Sequence, residues 1–124
     1  MKFLLDTNIL IYFLNQKDKK AEAYIDNGQS LISVLTRIEV LYGTAEEEKS
    51  SILELLSRLY AVPIKDGIAD LTAKLMIHVP RLRKKYPDAL IAATCLYYDY
   101  ELVTANVKDF NNIPGLTVVG FERP

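Results

Sequence analysis

MKFLLDTNILIYFL, residues 1–14, sets a short apolar run directly against a carboxylate, and then starts a second apolar run. Lys2–Leu5 reads as a strand. Asn8–Leu14 reads as a helix, with Thr7 or Asn8 placed to cap it. Asp6 stands between two segments that both look buried. An ionised Asp is costly there unless it is paired or coordinates something. The same alternation continues along the chain. Strands are expected at Leu31–Val34, Ala61–Ile64, Leu102–Thr104 and Leu116–Val119. Helices are expected at Lys19–Asn27, Thr36–Tyr42, Glu46–Tyr60, Ile68–Ile77 and Asp88–Tyr98, with a short turn of helix at Val107–Phe110. Pro63 argues that its strand lies at an edge or ends early. Alternating strands and helices predict one α/β domain over residues 1–124. Its sheet is mostly parallel, has about four to five strands and is flanked by helices.

The bulk composition narrows the function classes. A chain of 124 residues, half of them apolar and a quarter charged, has the make-up of one ordinary globular domain with a real core. A net charge of −1 gives no global basic field, so any nucleic-acid partner depends on local patches. The single cysteine, Cys95, sits in the apolar stretch AATCLYY. It permits no disulfide within the chain, reads as a buried thiol rather than a nucleophile, and suits the cytoplasm. No basic, apolar leader opens the chain, and no apolar run is long enough to span a membrane. His78 is the only histidine and the five glycines are scattered. No P-loop, no dinucleotide fingerprint and no G-x-S-x-G elbow is present.

In a parallel sheet, sites gather beyond the C-terminal ends of the strands. Asp6 falls just past the first strand, and Thr104 and Asn106 close the strand Leu102–Thr104. Three further acids stand at or near element boundaries: Glu39 in SVLTRIEVLYG, Asp88 in YPDALIAAT and Asp109 in LVTANVKDF. Each has a local explanation. Asp6 could cap the next helix. Thr36 and Glu39 fit a capping box. Asp88 suits a helix N-terminus, and Asp109 could be a solvated acid. Together they point elsewhere. Carboxylates crowded on one rim repel and raise each other's pKa unless a cation neutralises them. An all-carboxylate set without Cys or His clusters suits Mg²⁺ or Mn²⁺ rather than zinc. The basic run Arg81-Leu82-Arg83-Lys84-Lys85-Tyr86 ends two residues before Asp88. It reads either as a solvated helix end or as a phosphate-contacting patch beside the acids.

FLLDTNILI, the Glu39 of TRIEVLYG, PDALIAATCL and LVTANVKDFNNIPGLTVV, in this order, resemble the PIN-domain ribonucleases. They are most similar to the VapC-type toxins of toxin–antitoxin pairs. The resemblance runs from end to end, although Glu46–Lys85 matches only in its helical character. It implies a metal-dependent endoribonuclease. Asp6, Glu39 and Asp88 match the family's first three acids. Many members carry Asp where this chain has Asn106, and Asp or Glu where it has Asp109. Thr7 and Thr104 match positions whose hydroxyls line the site, with Asn8 beside them.

The resulting expectation is phosphodiester hydrolysis of RNA. Asp6 and Asp88 hold the principal Mg²⁺ or Mn²⁺, Glu39 completes the shell or positions water, and Asp109 supports a second ion. Thr7, Asn8, Thr104 and Asn106 support these acids, and Arg81, Arg83, Lys84 and Lys85 contact RNA. Two rivals differ in class. One is the same fold with a degraded site, acting as an RNA- or protein-binding module. The other is a receiver-like phospho-signalling domain, which would want paired acids after the first strand rather than Asp6-Thr7-Asn8. Surplus apolar residues in Ile9–Leu14 and Ile52–Leu59, with Tyr97, Tyr98 and Tyr100, are expected to form an interface. The resemblance favours a homodimer and a small antitoxin protein as partners.

Overall fold

The computed structural model describes residues 1–124. The elements run β1 (Phe3–Leu5), α1 (Thr7–Gln16), α2 (Lys19–Ile25), β2 (Ser30–Ser33), α3 (Val34–Tyr42), α4 (Lys49–Ser57) and β3 (Tyr60–Val62). They continue with α5 (Asp66–His78), α6 (Tyr86–Tyr98), β4 (Glu101–Thr104), α7 (Val107–Phe110) and β5 (Val118–Gly120). The five strands form one sheet in the order β3-β2-β1-β4-β5, and every pairing is parallel. Parallel neighbours cannot be joined by a hairpin, so helical connections lie on both faces. Strand order reverses at β1, which pairs with β2 on one side and β4 on the other. The crevice of such a sheet opens at this switch point.

Neighbouring strand residues point to opposite faces. Leu4, Leu31, Val62 and Leu102 pack with α5 and α6 in one core, and Leu5, Ile32 and Val103 pack with α1–α4 in the other. Both faces are covered, so the strands read as unbroken apolar runs rather than alternating ones. Helix α6 shows the same logic. Ala89–Cys95 are all buried, so the helix is apolar all round. Its alanines allow close approach to α5 and the sheet. It ends at Asp99, in the left-handed region at φ 59°, a conformation that Asp tolerates better than most residues. β4 follows at once. The Cys95 thiol is buried there, and burial pushes its pKa far above the ordinary value, so it is no nucleophile.

Several boundaries differ from the sequence expectation. Asp6, not Thr7 or Asn8, is the N-cap of α1. Helix α2 ends at Ile25 and is capped by Asp26, short of Asn27 and Gly28. Ser30–Ser33 form β2, and Val34 already begins α3. The expected helix Glu46–Tyr60 divides into a 3-10 turn, Glu46–Glu48, and α4, and Tyr60 belongs to β3. β3 is an edge strand that stops at Val62, immediately before Pro63. The last strand lies at Val118–Gly120 rather than Leu116–Val119. No helix is long and apolar enough to cross a membrane.

The expected surplus of apolar surface on α1 and α4 is largely consumed by the core, with Leu53 the large apolar side chain of α4 left exposed. Ile9, Leu10, Phe13, Ile52, Leu55, Leu56 and Leu59 are buried in the core on that face of the sheet. Covering a parallel sheet on both sides consumes more apolar side chain than one face suggests. The tyrosines also serve the core edge. Tyr98 stacks on Tyr100 and meets Tyr97 edge-on, and only Tyr97 of the three is largely exposed.

Candidate active site

Asp6 is built into the site by the end of β1. Its backbone N–H donates to the Val103 carbonyl at 2.9 Å, extending the pairing with β4 by one step. The next residue opens α1, and the Thr7 N–H donates to Asp6 Oδ1 at 2.9 Å. The other carboxylate oxygen, Oδ2, accepts from the Thr104 hydroxyl at 2.8 Å. Thr104 is fully buried at the end of β4, and its Oγ1 also accepts from the Asn106 N–H at 2.9 Å. The helix cap and the site residue are thus the same carboxylate, held from both sides with lone pairs left over.

A second branch places Glu39. The Thr7 hydroxyl lies 2.6 Å from Glu39 Oε1 and 3.0 Å from the Thr36 hydroxyl. A carboxylate only accepts, so Thr7 donates to Glu39, and Thr36 in turn donates to Thr7. This arrangement overturns the capping box. Ser33 caps α3, its hydroxyl accepting from the Leu35 N–H at 3.0 Å. Thr36 already lies inside the helix and is buried. Because α3 begins at Val34, Glu39 sits in its second turn and cannot reach back to a cap. Its side chain turns toward α1 instead.

Asp6, Thr7, Asn8, Glu39, Asp88 and Asn106 line one cleft of about 300 Å³, together with Ile11, Pro87 and Ile91. Asp88 enters from the first turn of α6. It also borders an adjoining hollow lined by Arg81, Lys85, Lys108 and Asp109. Asp109 therefore stands next door rather than in the cleft, on the first turn of α7. The acids still feel one another. Burial pushes the Asp6 pKa up, and Glu39 and Asp109 raise it further against the hydrogen bonds from Thr104 and Thr7. Burial also raises the pKa of Asp88. Asp109, Asp6 and Glu39 add to this, and only Lys85 opposes.

No three of these side chains are drawn tightly enough to clasp a bare ion. The donor chemistry nonetheless fits a hard divalent cation. All donors are oxygens, and their repulsion is what such a cation relieves. Mg²⁺ keeps several waters and needs only one or two direct carboxylates, so spaced acids suit it.

The basic run is not a helix end. Pro80–Leu82 form a 3-10 turn and Lys85 precedes α6. Leu82 is buried as the anchor of this connection, and Arg81 Nη1 donates to the Lys108 carbonyl. Arg83, Lys84 and Lys85 are exposed, and of these Lys85 lines the hollow with Asp88 and Asp109. His78, at the end of α5, is exposed and lines neither the cleft nor the hollow. Two residues at the site escape sequence reading. Thr36 looks like a cap until its helix register is known. Arg123 follows β5, and its Nη2 donates to Asn106 Oδ1 at 2.7 Å. No local motif announces it, and only the anchoring of the preceding Phe121, which is buried, brings it back to Asn106.

The PIN-domain family model matches residues 3–116. The chain belongs to the PIN-domain family. Within this PIN domain, Asp6, Glu39 and Asp88 share one cleft, while the acid of the last motif, Asp109, lies beside it. A Ribonuclease VapC from Rickettsia bellii is 30% identical, with 96% of each chain covered. A tRNA(fMet)-specific endonuclease VapC from Salmonella typhimurium is 27% identical, covering 95% of this chain and 96% of its own. Among solved structures, a toxin–antitoxin complex from Klebsiella pneumoniae contains a chain that superposes with a TM-score of 0.78 at 33% identity. It covers 95% of this chain and 96% of that one. These full-length matches place the PIN domain with the VapC ribonucleases and exclude the receiver-like alternative.

Proposed function

We propose that this PIN domain is a divalent-metal-dependent endoribonuclease and the toxin of a toxin–antitoxin pair. The observation that carries the reading is the shared cleft of Asp6, Glu39 and Asp88, held by Thr7 and Thr104. A degraded binding module would have no need to keep hydroxyls aimed at two of three acids. Asp6 and Asp88 are the residues that would hold Mg²⁺ or Mn²⁺, with Asp109 supporting a second ion from the adjoining hollow. When bound, the cation lowers the pKa of water and stabilises charge developing on phosphate. Glu39 is placed by Thr7 to orient the attacking water and accept its proton. Thr104 keeps Asp6 turned into the cleft. The chain needs no nucleophile of its own, in keeping with the inert Cys95.

Titrating MgCl₂ or MnCl₂ into metal-stripped protein with a labelled single-stranded RNA tests this reading. Internal cleavage that rises with either ion and stops with EDTA is expected. A well-folded protein that leaves RNA intact at every metal concentration would support the binding-module alternative instead.

Arg83, Lys84 and Lys85 supply phosphate contacts along the approach to Asp88. Replacing all three with Ala is expected to weaken RNA binding and to flatten its salt dependence by about 0.7 in slope for each lost contact on a single strand. A slope equal to that of the parent protein would leave the run a solvated connection. The relative from Klebsiella pneumoniae occurs in a toxin–antitoxin complex, which supports a small antitoxin as a partner of this chain in the cytoplasm. Ile38 and Tyr42, one turn apart on α3 and exposed by 55% and 91%, leave apolar surface for a protein partner or a second copy in a homodimer.

A further inference from the structure

Arg123 has no part in the residues that hold the acids, yet it bonds to Asn106, a residue that lines their cleft. Its position is set by three contacts. The Phe121 N–H donates to the Thr104 carbonyl at 2.8 Å, prolonging the alignment of β5 with β4. The Phe121 ring is buried, stacked on Tyr12 and edge-on to Tyr24. Two residues later, Arg123 Nη2 donates to Asn106 Oδ1 at 2.7 Å. Asn106 lines the cleft with Asp6 and Glu39, and its N–H is tied through Thr104 to Asp6. A guanidinium is therefore moored at the rim of the acid cluster by a chain of hydrogen bonds.

The mooring leaves the charge free. No carboxylate lies within ion-pair distance of Arg123, whereas Arg58 is surrounded by Glu22, Asp26 and Glu54. The amide oxygen of Asn106 takes one of five N–H donors and neutralises nothing. An acid at position 106 would instead hold Arg123 in an ion pair and cancel it. The remaining donors form a planar fork suited to two oxygens of one phosphate. The basic run approaches Asp88 through Lys85 and the hollow it shares with Asp109, so Arg123, held through Asn106, adds a separate cation.

We propose that Arg123 is a substrate-binding residue of this site, held by Asn106 to grip a phosphate of the RNA as it enters the acidic cleft. The proposal rests on the ribonuclease reading above, and it assigns to Asn106 the task of positioning a cation rather than ligating one.

The test uses the full chain carrying Asp88→Asn, so that RNA is bound without turnover, and single-stranded RNA followed by fluorescence anisotropy over a salt series. Adding Arg123→Ala is expected to weaken binding about tenfold and to lower the salt slope by about 0.7. Arg123→Lys is expected to restore the slope but only part of the affinity, because a point charge replaces the fork. Asn106→Ala is expected to weaken binding by itself and to add little to Arg123→Ala, since both break one arrangement. Unchanged affinity and slope in Arg123→Ala would overturn the proposal. So would tighter binding, which would make Arg123 a plug rather than a grip. Failure of the folded Asp88→Asn protein to bind RNA at all would instead remove the ribonuclease reading and this proposal with it.

Discussion

Asp6→Asn is expected to reduce RNA cleavage by about 10³-fold or more while the protein still folds. The amide matches the carboxylate in shape and keeps one acceptor for the Thr7 N–H or the Thr104 hydroxyl. What it loses is the charge on which a divalent cation depends. Asp88→Asn is expected to act alike, and its stability profile gives an independent check. The Asp88 carboxyl titrates above its ordinary value in the folded protein because of burial and the neighbouring acids. The folded state therefore holds this proton more tightly than the unfolded chain does. Stability contributed by the protonated form is present below the unfolded pKa of about 4 and is lost as pH rises through the folded value. At neutral pH and without metal, the ionised carboxylate is a burden on the fold. Asp88→Asn should then melt no lower than the parent at pH 7, and the difference between them should narrow as the pH falls toward 4. Added Mg²⁺ should raise the melting temperature of the parent more than that of the variant. Wild-type cleavage by either Asp variant in the presence of Mg²⁺ would remove these carboxylates from the mechanism.

Glu39→Gln is expected to separate catalysis from folding most cleanly, with activity falling by about 10²-fold and melting temperature unchanged. Glu39 is exposed on α3 and caps nothing. Its one hydrogen bond in the protein is the 2.6 Å contact from Thr7, which the amide oxygen of Gln can still accept. The stability loss of about 0.5–2 kcal/mol that follows removal of a helix cap is therefore not expected here. Ser33→Ala, which removes the cap actually used by α3, should show that loss instead. Thermal melts of the two variants beside initial cleavage rates decide the matter. A destabilised Glu39→Gln protein with undiminished activity would return Glu39 to a structural role.

Much of this molecule was legible in one dimension. Each strand core, Phe3-Leu4-Leu5, Leu31-Ile32 and Leu102-Val103, is an apolar run too short for a helix, and each is bounded by polar residues. Alternation with helical spacing then leaves few arrangements besides a layered parallel sheet. The position of Asp6 was readable for the same reason, since a residue that ends a central strand of such a sheet must open onto its crevice. The apolar content of α6, with Asp88 in its first turn, followed from spacing alone.

Register and long-range contact were not readable. Whether α3 begins at Val34 or Thr36 is a two-residue difference that local propensity does not resolve, because Ser33 and Thr36 are both good caps. That choice turns Glu39 from a capping residue into a partner of Thr7, 32 residues away. The fate of Ile52, Leu55 and Leu56 is likewise settled by packing, since an apolar stripe looks the same whether it meets a core or a partner. Arg123 depends most on the fold. Its neighbour Asn106 is 17 residues distant, and the two meet because parallel pairing of β5 with β4 carries both strand ends to the same rim. Local patterns encode what each segment prefers, whereas the cleft is made where the ends of separate segments converge, and that convergence exists only once the sheet has formed.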